Sequence, residues 1–92
     1  MLLVHLPLTT EGLTPGTDRE AGLLQDVLWA HARPPHALEH VRIRPIAHGL
    51  NVAMFVRADC DTTARAQARS LLNDALAAGA LRGYSLAPEH PA

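Results

Sequence analysis

The chain has 92 residues; 48% are hydrophobic, 18% charged and 3% aromatic, and the formal net charge is −1. This length allows one domain, residues 1–92. The apolar content excludes a disordered tail, the single cysteine a disulfide scaffold, the near-neutral charge a strongly basic nucleic-acid binder, and the lack of any apolar run near ~20 residues a spanning helix.

Met1-Leu2-Leu3-Val4-His5-Leu6-Pro7-Leu8 opens the chain. It has no basic leader, and its apolar stretch is short and broken, so it reads as a strand and not as a signal peptide. Leu2, Val4, Leu6 and Leu8 alternate with Leu3, His5 and Pro7, giving one uniformly apolar face. Thr9 to Thr17 reads as a loop, rich in Gly, Pro and Thr. Thr17-Asp18-Arg19-Glu20 has the form of a capping box, in which Thr17 caps the helix and Glu20 reaches back. The first helix then covers about Asp18 to Ala32. Leu24, Val27, Leu28 and His31 form its core stripe, and Leu23 widens it. Trp29 stands about 100° round from Leu28, on a flank suited to a partner interface. Arg33-Pro34-Pro35 ends the helix, because a residue before proline is pushed out of the α region.

Glu39 to Ile46 is the second strand, with Val41 and Ile43 on one face and His40, Arg42 and Arg44 on the other. Pro45 favours an edge position. His48-Gly49-Leu50-Asn51 makes the connection, and Asn51 to Ala58 the third strand. There Val52, Met54 and Val56 oppose Ala53, Phe55 and Arg57. Asp59 or Asp61 caps a second helix, about Thr62 to Ala78, with Ala64, Ala68, Leu71, Leu72 and Ala75 inward and Gly79 as its stop. Ala80 to Leu86 reads as the last strand and 87–92 as a flexible tail.

The resulting order, β-α-β-β-α-β, resembles the ferredoxin-like superfamily. The resemblance implies an α+β fold: a four-stranded antiparallel sheet in the order 4-1-3-2, with both helices on one face. The other face is then bare. It carries Leu3, His5, Arg42, Arg44, Ala53, Phe55 and Arg57, with His40 at its end and Tyr84 as a possible member. Such a mixed apolar and cationic face points to a homodimer, a small-molecule ligand or a protein partner. RNA is disfavoured, since only Phe55 is placed to stack a base.

Element order and length are also similar to the dimeric α/β-barrel proteins, which include small monooxygenases and muconolactone isomerases. The opening Met1-Leu2-Leu3-Val4-His5-Leu6 is similar to the isomerase start. This resemblance implies a dimer closed around a cavity, acting on an organic acid or ketone. In such a cavity Arg42 or Arg44 binds a carboxylate, Phe55 packs on the ligand, and His5 is the candidate acid or base.

Other patterns point elsewhere or nowhere. His36-Ala37-Leu38-Glu39-His40 spells H-x-x-E-H, but that metallopeptidase motif needs a helix and a third ligand, and here prolines precede it and a strand follows. His31, His36 and His40 read as solvated loop histidines, and no metal or cofactor is expected. Cys60 reads as a small half-buried residue whose helix-start position lowers its pKa against Asp59 and Asp61. Gly12-Leu13-Thr14-Pro15-Gly16 lacks the spacing and the lysine of a phosphate loop. A lone cysteine suits a reducing, cytoplasmic compartment. All eight basic Lys/Arg positions are arginine, a bias pointing to a high-GC bacterium. The sequence thus predicts a homodimeric binding or interaction module, with a small dimeric α/β-barrel enzyme as the alternative.

Overall fold

The computed structural model describes residues 1–12, 14–79 and 81–86. The expected tail at 87–92 and the expected start of the last strand at Ala80 lie outside the described residues. The elements are β1 (Leu2–Thr10), α1 (Asp18–His31), a 3-10 turn (Pro34–His36), β2 (Leu38–Ile46), β3 (Gly49–Val56), α2 (Asp61–Ala77) and β4 (Tyr84–Leu86). The four strands form one antiparallel sheet in the order β2-β3-β1-β4, which is 4-1-3-2 read from the other edge.

Period-two alternation divides the sheet into a packed face and an open one. Val4, Leu6 and Leu8 of β1 join Leu50, Val52, Met54 and Val56 of β3 and Val41 of β2 in one buried cluster. Ala21, Leu24 and Leu28 of α1 and Ala64, Ala68, Leu71, Leu72 and Ala75 of α2 close that cluster from the same side. The α1 stripe is narrower than expected: Val27 and His31 are half-buried and Leu23 is exposed. Small alanines on α2 let the second helix lie close to the sheet, where larger side chains would hold it off. Among the described residues no helix is long and apolar enough to cross a membrane.

Both ends of α1 follow from their residues. Thr17 Oγ1 accepts the Glu20 N–H at 3.1 Å, and Glu20 Oε1 accepts the Thr17 N–H at 3.1 Å, the reciprocal bonds of a capping box. At the other end the Pro34-Pro35 pair forms the 3-10 turn and not an open loop. His36 is buried there at 8% exposure, against the expectation of a solvated ring. Its Nδ1 accepts the Arg33 N–H at 3.0 Å. Gln67 of α2 donates to the carbonyls of His36 (2.8 Å) and Arg57 (3.2 Å), pinning this corner to the helix layer.

Several boundaries differ from the sequence expectation. β1 runs on to Thr10. β2 begins at Leu38, because Glu39 is the extra residue of a bulge between the Leu38–Val56 and His40–Phe55 pairs. The bulge rotates Leu38 onto the core side while leaving His40, Arg42 and Arg44 on the open side. The β2–β3 turn is Ala47-His48, with Ile46 opposite Gly49, so β3 starts two residues earlier than expected and ends at Val56. Gly49 is required at this place: a Cβ there would run into the Leu8 carbonyl oxygen, and one on Gly16 into the Gly49 carbonyl oxygen. Cys60, and neither neighbouring aspartate, is the N-cap of α2, and it is exposed.

β4 has three residues. The Thr10 N–H donates to His48 O across the Thr9–Gly49 pair. Odd-numbered β1 residues therefore direct their backbone groups away from β3, toward the β4 side. That side is paired at Leu8–Thr10. The next odd position is Pro7, which has no N–H to give. Tyr84 lies opposite Thr10 on the helix side of the sheet, not on the open face, and its hydroxyl donates to Glu20 Oε1 at 3.0 Å.

Candidate functional site

The open face of β2, β3 and β1 is a three-by-three array fixed by register. Across the sheet its rows are His40–Phe55–Leu3, Arg42–Ala53–His5 and Arg44–Asn51–Pro7. Neighbouring strands lie about 4.8 Å apart, and successive same-face residues about 6.7 Å apart along a strand. The smallest side chain, Ala53, occupies the centre. It is only 8% exposed although both helices pack on the opposite face; the longer side chains around it shield it. A hollow of about 400 Å³ is left above it.

Eight residues line this hollow: Leu3, His5, His40, Arg42, Arg44, Asn51, Ala53 and Phe55. Two are arginines, two histidines, and none is acidic. At one end the His40 and Phe55 rings meet at 5.7 Å between centroids, tilted by 45°, and Leu3 beside them is 46% exposed. At the other end Asn51 Nδ2 lies 3.3 Å from His5 Nδ1. The Asn51 amide is therefore placed to orient the His5 ring. The hollow is thus apolar at one end, cationic along β2, and holds an oriented imidazole on β1. It suits an organic anion with a flat apolar body.

The structure brings together His5, Arg42, Arg44 and Phe55, with Leu3, His40 and Ala53. Arg57 leaves the set: it follows the end of β3, and its Nη2 lies 3.6 Å from Glu39 Oε2. Asn51 was not anticipated, because the turn was expected two residues later. The inward run Leu50, Val52, Met54, Val56 was the signal that β3 extends back past Asn51. Trp29 stands apart, 44% exposed on α1.

A second hollow, about 740 Å³, runs along the outer side of α2. A single helix lines it, so it has one wall and cannot enclose a ligand. His31, His36 and His40 do not converge: among the described residues no group of three or more His, Cys, Asp or Glu side chains could hold a metal ion. His36 Nε2 instead faces Asp74 Oδ2 at 3.8 Å. At Cys60 the Thr63 hydroxyl, 3.4 Å from Sγ, holds the thiol below its usual pKa. The N–H groups of Thr63 and Thr62 act in the same sense, and Asp59 against them. For Tyr84, burial first and then the bond to the Glu20 carboxylate push the phenol up to about 12.

Compared with known protein families, curated proteins and solved structures, the chain matches none. What the site does therefore rests on its own chemistry.

Proposed function

We propose that the chain is a small homodimeric binding module of ferredoxin-like architecture. It self-associates through the open sheet face and holds a small molecule in the hollow over Ala53. The observation that supports this reading is the array itself: a small residue at the centre, ringed by two arginines, two histidines and an aromatic, on a face that no described element covers. The helices occupy the opposite side, so a second copy is the natural cover. Leu3 and Phe55 supply apolar contact beside the cations. An exposed, unpaired Cys60 is in keeping with a cytoplasmic setting.

The test is mass by light scattering after size exclusion, over a range of concentrations. A dimer that Leu3→Arg dissociates, and Trp29→Ala does not, supports the reading. The reverse pattern transfers the interface to the α1 flank. A monomer at every concentration overturns self-association and favours a protein partner.

One observation favours the enzyme alternative. The Asn51 amide lies within hydrogen-bond distance of the His5 imidazole inside the hollow and can orient it, as a general acid or base requires. Its signature is deuterium uptake from D2O at C3 of phenylpyruvate, the methylene beside the keto group, at a rate above that without protein, seen by NMR and lost in His5→Gln. Absence of uptake with phenylpyruvate bound leaves binding as the function.

A further inference from the structure

Building on the homodimer proposed above, we infer that the ligand of the open face is a flat organic carboxylate and that its binding drives dimerisation. The ligand class follows from the polarity of the array. Arg42 and Arg44 are same-face neighbours on β2, about 6.7 Å apart at Cα, close enough for both guanidinium groups to close on one carboxylate. Glu39, the carboxylate of that strand, is engaged by Arg57 and lies on the bulge, outside the hollow. The His40–Phe55 pair and Leu3 offer the other end of the hollow to an apolar ring. The space of about 400 Å³ suits one or two rings, not a polymer. The charge is local to this face, since the whole chain carries −1.

The coupling follows from symmetry. A two-fold dimer through this face brings two copies of the hollow, and so four arginines, into one interface. The hollow contains no acid to offset them, so the empty dimer brings like charges together in a partly dehydrated space. A carboxylate in each hollow supplies the missing counter-charge, and its apolar body fills the gap above Ala53. The anion then binds the dimer more tightly than the monomer. By linkage each bound anion tightens the dimer by that factor, and two tighten it by its square.

The experiment measures the dimer dissociation constant by light scattering or sedimentation, with calorimetry for binding. The probes are 2-naphthoate, its neutral analogue 2-naphthamide, and inorganic phosphate. The expected result is that 2-naphthoate tightens the dimer about tenfold or more, naphthamide leaves it unchanged, and phosphate acts weakly. The double variant Arg42→Gln/Arg44→Gln changes exposed side chains and keeps the fold. It should dimerise several-fold more tightly than the parent without ligand and ignore 2-naphthoate. Equal effects of naphthoate and naphthamide overturn the role of charge. Phosphate as effective as naphthoate reduces the effect to simple ion screening and overturns the ligand class. A dimer that ignores every probe overturns this inference while the proposed dimer stands. A persistent monomer that binds naphthoate by calorimetry overturns the dimer and the coupling but not the ligand class.

Discussion

The two faces of the β1–β3 pair share a backbone and little else. On the helix side Val4, Leu6, Leu8, Leu50, Val52, Met54 and Val56 are buried aliphatic or thioether side chains. On the open side the intervening positions hold Leu3, His5, Pro7, Asn51, Ala53 and Phe55, and only Ala53 is buried. Residue parity along these strands thus separates the buried side chains that hold the chain folded from those on the open face, where the proposed ligand sits. A substitution at an even position should act on stability; one at an odd position should act on recognition.

The sharpest test of that division is Leu6→Ala. Leu6 is 1% exposed at the centre of the sheet, and the truncation should cost about 2–5 kcal/mol in urea unfolding. A cost under about 1 kcal/mol would mean that the packed face is not the stabilising one. Ala53→Leu probes the opposite face. The added side chain should fill the hollow and abolish 2-naphthoate binding, while stability moves by no more than about 1 kcal/mol. Retained binding would place the ligand elsewhere.

Tyr84→Phe examines the link between β4 and α1. Loss of the hydroxyl's bond to Glu20 should cost about 1 kcal/mol at neutral pH. The parent carries a pH signature as well. The phenol ionises near its ordinary value of 10 in the unfolded chain and at about 12 in the folded one. The folded state therefore holds the proton longer, and this contribution is full below pH 10 and lost as pH rises toward 12. Tyr84 is the sole tyrosine, so phenolate absorbance reads the titration directly. A midpoint near 10 in the folded protein would refute the buried contact. The smallest expected effect is at Cys60. Its alkylation by iodoacetamide should reach half-rate at a lower pH than a free thiol, and Thr63→Val should move that midpoint back up.

Much of this division is visible in the sequence wherever a residue's role depends on its near neighbours. The apolar alternation of β1 sets its phase, the Thr17–Glu20 spacing starts α1, and the parity of Arg42 and Arg44 places them together. Features that depend on pairing are not visible. Ala53 reads as an unremarkable small residue until register surrounds it with longer ones. Leu38 is out of phase with Val41 and Ile43, a hint of the bulge that only the partner strand resolves. Arg57 continues the alternation of β3 in sequence, but the strand ends before it and Glu39 draws it away. His36 reads as a loop residue because its burial depends on α2, dozens of residues later in the chain.

Pro7 has a bearing on how copies can assemble. Among the described residues the β1 edge facing away from β3 is unpaired before Leu8, and a strand from another chain could in principle add there. Where one edge meets a different edge of the next copy, such addition repeats and leads to fibres. A newcomer would meet a missing donor at Pro7, beside the paired segment where its ladder would begin. Growth in the plane of the sheet is thus discouraged, whereas stacking through the open faces uses each face once and terminates at two copies. One imino acid in a central strand thus weighs against strand addition at this edge.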